Sequence, residues 1–246
     1  DWEQTGVAAR WPAAGADAWV GTPGMNAPIR ALAAPLDVRW EVRAETILRD
    51  AAGWQVAAGE QIFTARTVLL AVPAEQAAEL LADAAPDFAA RAASVTSAPC
   101  WAVMAGFAQR LAVSADTYRS DTAAISWAAR NSAKPGRSGA EAWVIHASPA
   151  RSRELIDRPR GEVAAALLGD FFSATGIPPI TPTHLDAHRW LYALPEARQG
   201  EGPLFDAHLG IGMAGDWLHS PRVEGAWLSG RALAEAVVQE RLASTS

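Results

Sequence analysis

The sequence predicts a mixed α/β (α+β) protein in which two parts interleave, and three observations predict it. Short β-rich runs separated by turn residues fill 38–63, as in an antiparallel meander. Two continuously apolar runs, at 67–72 and 209–214, each lead into a helical pattern, as buried strands of an α/β layer do. Between them, 97–200 combines several strand patterns with one amphipathic helix and reads as a separate, largely antiparallel sheet.

Each element follows in order. Trp2, Trp11 and Trp19 sit among small residues without a clear period, so 1–20 reads as irregular chain or short strand. GTPG at 21–24 signals a turn. Asn26 is placed to cap a helix, Pro28 falls in its first turn, and Ile29, Leu32, Ala33 and Leu36 keep helical spacing. Strands are expected at 38–42, 46–48, 54–57 and 61–63. The run at 67–72 lacks alternation and reads as a strand buried on both faces. Pro73 ends it, and a helix covers 75–81. Further strands are expected at 101–107, 123–129, 142–147 and 183–192. The helix at 162–175 turns Val163, Leu167, Phe171 and Phe172 inward, and 131–139 is a polar Gly/Pro loop.

Composition excludes several classes of function. The net charge is -6 with no basic block, which argues against a nucleic-acid partner. Cys100 is the only cysteine, so no internal disulfide or cysteine-rich metal site can form, and a reducing, cytoplasmic setting is expected. No apolar run approaches the roughly 20 residues of a membrane span. The chain opens at Asp1 in mid-pattern, and a preceding segment is expected.

The chemistry concentrates at 209–237. A buried strand delivers Asp216 to its carboxyl end, where ligands of open α/β sheets sit. A carboxylate there needs hydrogen-bond donors, which a polyol such as a ribityl chain supplies. Gly225 and Ala226 begin a helix and let backbone amides approach a flat ring, and a helix start favours negative charge. The ordered set Gly215, Asp216, Glu224, Gly225, Ala226, Ser229 and Gly230 therefore suits a flavin; Trp217 and Trp227 flank it. Taken singly, Gly-Asp before a loop or Gly-Ala in a helix can be packing alone.

The stretch GMAGDWLHSPRVEGAWLSGRALAEAV (212–237) resembles the C-terminal flavin signature of the FAD-dependent amine oxidase family, and within it the chain resembles the renalases. WVGTPGMNAPIRALA (19–33), TVLLAVPAEQAAELL (67–81), WAARNSAKPGR (127–137) and AHRWLYALP (187–195) carry the likeness in the same order. The resemblance implies FAD as cofactor, with Gly215, Asp216, Trp217, Glu224, Gly225, Ala226 and Ser229 binding it. It implies hydride transfer from isomeric reduced nicotinamide dinucleotides to flavin N5, with molecular oxygen as electron acceptor. It also implies a strand–Gly-rich-turn–helix unit for the ADP half of FAD. No G-x-G-x-x-G occurs here, so the FAD-binding domain is expected to be truncated.

Other side chains compete for a role. Asn131, Lys134 and Arg137 in the polar loop suit a substrate phosphate, or form an ordinary solvated hairpin. His146 either faces the same cavity or is a core histidine. His188 and Trp190 are the remaining substrate candidates. His188 also shares a strand with His184 and Asp186, a set that could ligate iron or zinc, but the resembled family needs no metal and none is expected. Trp101, Trp127, Trp143 and Trp190 fall on strands, where an indole more often fills a core, and one or two of them could instead line a cavity for a flat substrate.

The expected organisation is a substrate domain from 1–28 and 97–200, and the remainder of an FAD-binding domain from 29–96 and 201–246. The expected activity is that of a renalase-like FAD-dependent oxidoreductase taking a small-molecule substrate. The alternatives are another flavin-dependent amine oxidase or desaturase-like enzyme of the same fold, and a truncated non-catalytic domain. Oligomeric state is not legible in the sequence.

Overall fold

The computed structural model describes residues 2–195 and 202–243. Strands β1 (Ala8–Arg10) and β2 (Trp19–Gly21) pair antiparallel, and helix α1 (Ala27–Ala33) follows. Asn26 stands at the N-cap of α1 with Pro28 in its first turn, but the Asn26 side chain makes no capping bond. Next come β3 (Thr46–Asp50), β4 (Gly53–Ala58) and β5 (Gln61–Ala65), an antiparallel meander. Strand β6 (Val68–Leu70) leads into α2 (Ala74–Leu81) and α3 (Pro86–Ala93). The middle of the chain holds β7 (Ser97–Phe107), β8 (Thr117–Arg119), β9 (Ile125–Arg130) and β10 (Glu141–Ala147). Helices α4 (Pro149–Glu154) and α5 (Arg160–Thr175) then precede β11 (His184–Pro195). Short strands β12 (Leu204–Asp206) and β13 (Ile211–Met213) precede the long α6 (Val223–Ala243).

The chain forms two compact units, Asp1–Val38 with Pro99–Leu191, and Arg39–Ala98 with Tyr192–Ser246. The boundary drawn from sequence at 200/201 lies outside the described residues.

The first unit is built on a five-stranded sheet in the order β11-β7-β10-β9-β8, with antiparallel neighbours at β7/β10, β10/β9 and β9/β8. Alternation along β10 buries Glu141, Trp143, Ile145 and Ala147 on one face. Helix α5 covers that face with Val163, Leu167, Phe171 and Phe172, and the Trp143 and Phe171 rings lie 5.0 Å apart. Its end is set by Gly176, whose left-handed backbone terminates the helix.

The second unit holds two three-stranded sheets, β12-β13-β6 and β3-β4-β5. Strands β13 and β6 run parallel; β12 is antiparallel to β13. Ile211, Met213 and Leu70 pack with Trp54, Trp217 and the alanine-rich faces of α2 and α3. Gly212 permits α6 to close on the sheet, because a Cβ there would stand 2.7 Å from Leu233 Cδ1.

The mixed α/β character with a largely antiparallel sheet agrees with expectation, and two segments differ. Residues 38–42 form no strand: Glu41 takes a left-handed backbone at φ 59, which breaks an extended run, and Trp40 is exposed. The strand expected at 67–72 shrinks to Val68–Leu70 and is buried on one face only, since Leu69 is 45% exposed while Leu70 is buried.

Candidate functional site

Two groups of candidate residues form, one in each unit. In the second unit β13 ends at Met213, and the buried Ala214 and then Gly215, in extended backbone, follow. A one-turn 3₁₀ segment, Asp216–Leu218, then turns the chain. The Gly215 amide donates to Ser229 Oγ at 3.1 Å, which pins the strand end to α6. Trp217 lies in the core beneath it and donates Nε1–H to the Val72 carbonyl at 3.1 Å. Its indole would meet a Cβ at Gly215, so a glycine stands there for packing within the chain.

Asp216 is half-buried and has no cationic partner among the described residues. Burial pushes its carboxyl pKa up, and hydrogen bonds from the Trp217 amide and its own amide oppose the shift in part. A partly desolvated carboxylate with acceptor capacity beyond two amide bonds is suited to accept hydroxyl hydrogens from a ligand. Helix α6 starts close by in sequence. Its first closed bond is Ala226 N–H to the Arg222 carbonyl, so the amides of Val223, Glu224 and Gly225 open from the helix start. Gly225 is buried, and a Cβ on it would fall on the Ser220 carbonyl oxygen. Close approach of the 219–222 loop is therefore what requires a glycine at 225. Glu224, Ala226 and Trp227 are exposed, with Arg231 over the Trp227 ring.

In the first unit the loop after β9 brings Lys134, Arg137 and His146 together. Arg137 donates to the carbonyls of Gly21 and Pro135, tying the loop to the 21–24 turn. Gly136 adopts φ +70 and packs on Thr22, which a side chain would strain. Lys134 is 6% exposed, with Nζ 5.6 Å from the Trp11 ring centroid and 5.8 Å from that of Trp127. The His146 ring lies 4.9 Å from the Trp127 ring. Burial, then the Arg137 charge, lowers the Lys134 pKa; burial, then the Lys134 charge, lowers that of His146. Asn131 opens a 3₁₀ turn and accepts the Lys134 amide through its carbonyl at 3.2 Å. Its part in this group is through the backbone.

His188 and Trp190 contact each other, ring centroids 4.3 Å apart, on the exposed side of β11. β7 separates their strand from β10, and no contact joins them to Lys134 among the described residues. Asp186 on the same strand pairs with Arg160. The sequence did not single out Trp11, which forms one wall of the Lys134 cage, because nothing local marks an indole that meets a side chain from a loop far along the chain. Trp101 and Trp143 are buried as expected and Trp127 is half-buried, whereas Trp190, also expected in a core, is 56% exposed because it stands on the exposed side of β11.

The model of the family described as flavin containing amine oxidoreductase matches residues 12–238. Solved structures share the fold at low identity. A protein from Exiguobacterium sp. 255-15 assigned as a protoporphyrinogen oxidase is 16% identical with a TM-score of 0.68, covering 90% of this chain and 52% of its own. Cyclohexylamine oxidase from Brevibacterium oxydans IH-35A is 15% identical, TM-score 0.63, covering 81% and 48%. Putrescine oxidase bound to putrescine is 15% identical, TM-score 0.60, covering 89% and 54%. The chain thus spans about half the length of these proteins.

Proposed function

Because this chain belongs to the flavin containing amine oxidoreductase family, we propose that it is the C-terminal flavin-holding and substrate-binding portion of a renalase-like, FAD-dependent oxidoreductase. One observation carries the cofactor reading. Asp216 follows the buried strand β13 at the start of a 3₁₀ turn, half-buried and without a cationic partner among the described residues, close in sequence to the open amides that begin α6. Asp216 accepts hydrogen bonds from the ribityl hydroxyls in this reading. The amides of Glu224 and Gly225, with Glu224 and Ala226 at the exposed helix start, would stabilise the negative charge of a reduced ring held there. Ser229 and Trp217 hold Gly215 in place, a positioning role. FAD, when bound, supplies the hydride acceptor, and molecular oxygen is the proposed final acceptor. The unit containing 39–98 and 192–246 is the flavin-holding part; the other binds substrate.

For the substrate, the cationic group at Lys134 and Arg137 supports isomeric reduced nicotinamide dinucleotides, whose pyrophosphate is anionic. The second reading is an amine substrate, favoured by the family and by the amine oxidases among the structural neighbours. A reducing, cytoplasmic setting is proposed from the single cysteine.

The test is a visible spectrum of the purified chain with added FAD, followed by anaerobic mixing. The reading expects bound flavin, bleached by isomeric reduced dinucleotides and not by putrescine or cyclohexylamine. A chain that takes up no flavin would overturn the cofactor reading for it. Bleaching by amines alone would select the second substrate reading.

A further inference from the structure

Lys134 is the only lysine in the chain; the other cationic side chains among the 21 Lys and Arg residues are arginines. The one ammonium is also buried, at 6% exposure, where almost all lysines avoid being. The same sheet shows how this fold treats a buried cation that serves structure alone. Arg130 is fully buried, and its guanidinium meets Glu141, Asp116 and the carbonyls of Leu111 and Val113. Both carboxylates neutralise it where it sits.

Lys134, four residues on in the chain, is treated differently. Two indole faces hold its ammonium, and among the described residues no carboxylate lies within ion-pairing distance. A ring face attracts a cation without cancelling its charge. The charged or titratable groups that act on Lys134 are Arg137, which donates to two carbonyls, and His146. Neither is an acid. The group therefore keeps an uncompensated positive charge, fixed in position by the Gly136–Thr22 and Arg137–Gly21 contacts. An ammonium is a compact point charge with three donors and fits between two rings, where a planar guanidinium asks for a matching fork.

We propose that Lys134 is a specificity-determining residue: its ammonium, caged by Trp11 and Trp127, receives an oxyanion of the substrate, phosphate or carboxylate, and disfavours alkylammonium ions. The proposal deepens the substrate reading given above and rests on it for the claim that the ligand is the substrate. Pre-organisation of the cage keeps the ordering cost of binding low. The lowered pKa of Lys134 agrees with a cation that lacks its counter-ion until ligand arrives.

The single lysine makes the test direct. Biosynthetic lysine carrying ¹³C at Cε places one label in the chain, and its signal is followed through a pH titration of the flavin-free protein. Inorganic pyrophosphate, succinate or propylammonium is added in turn. The expected result is that pyrophosphate or succinate raises the proton affinity of the amine by about tenfold, equivalent to roughly one pH unit, while propylammonium does not. A response to pyrophosphate alone names phosphate as the group, and a response to succinate alone names carboxylate. An unmoved midpoint with both anions, or a response only to propylammonium, overturns the proposal. In parallel, calorimetry should find the responding anion bound by Lys134→Met at least about tenfold more weakly than by the parent. Equal affinity in Lys134→Met also overturns it. Because no flavin is present, a responsive lysine in a chain that never takes up FAD would sink the cofactor reading and leave the anion site standing.

Discussion

The Arg130 Nε–H donates to Glu141 Oε1 at 2.9 Å, and both side chains are out of water, at 0% and 4% exposure. The same carboxylate oxygen accepts the Trp143 indole N–H at 2.8 Å and the Leu111 amide at 3.2 Å. Arg130 also pairs with Asp116 and stacks 4.8 Å from the Trp143 ring centroid. One ion pair thus ties β9 and β10 to the 111–116 segment and fixes the start of the loop that carries Lys134. Removing one partner leaves a buried charge, so Arg130→Met or Glu141→Leu alone should cost about 3–5 kcal/mol. The double variant should cost less than the sum of the two, and urea unfolding of all four proteins checks it. Additive losses would show that the two charges are not coupled.

Acid should unfold the protein by a route whose sign follows from the same network. Burial raises the Glu141 pKa, but hydrogen bonds from Trp143, Arg130 and the Leu111 amide, with the Arg130 charge, outweigh it and hold the group below its ordinary value. Stability from such a group is present above the unfolded pKa and is lost as pH falls through the folded one. His146, also lowered, acts in the same direction: it must take up a proton on unfolding below about pH 6.5. Thermal melting should therefore weaken first below about pH 6.5 and then more steeply below about pH 4. A melting temperature that is flat between pH 7 and pH 5 in the parent, and unchanged by His146→Phe, would contradict the histidine part.

Asp216 should trade stability against flavin retention. Its pKa is raised by burial, so the ionised form that exists at neutral pH opposes folding, and stability recovers only as pH falls through the folded value. Asp216→Asn removes that charge while keeping the shape. The flavin-free variant should melt at a higher temperature than the parent at pH 7, yet hold FAD more weakly, because an amide offers a poorer acceptor to hydroxyl donors. Differential scanning calorimetry and flavin retention on gel filtration read the two halves separately. A variant that melts lower would show that the carboxylate serves the fold.

Two glycines of α6 should respond in opposite ways to the same added methyl. A Cβ at Gly225 would land on the Ser220 carbonyl oxygen, which is backbone and cannot swing aside, whereas a Cβ at Gly230 would meet nothing within 4 Å. Gly225→Ala should destabilise by roughly 1–3 kcal/mol, and Gly230→Ala should stabilise by about 0.5–1 kcal/mol through helix propensity. Urea midpoints of the two variants decide it, and a neutral Gly225→Ala would mean that the 219–222 loop yields easily.

Much of this was legible in local pattern. The inward face of α5 at Val163, Leu167, Phe171 and Phe172, the β3–β5 meander and the step from β13 into α6 all follow from periodicity and turn chemistry. What escaped depends on contacts between distant parts. The left-handed Glu41 has no residue signature, so 38–42 looked like strand. Helix α3 is short, half of it alanine with Phe88 its one large apolar residue, and was not anticipated. Gly225 was visible as a small residue, but its reason, the Ser220 carbonyl, needed the folded loop. The candidate substrate loop was visible as NSAKPGR, whereas the Trp11 wall beside Lys134 was not.

The cage around Lys134 has a kinetic consequence. Apart from the α-amino group, amine-directed reagents find one target in this chain, and it lies between two indole rings at 6% exposure. A reagent that acylates that amine must enter the same space beside the two rings that the proposed oxyanion would fill. The rate of labelling at position 134 should then fall as pyrophosphate or succinate occupies that space, readable by mass spectrometry without any engineered probe.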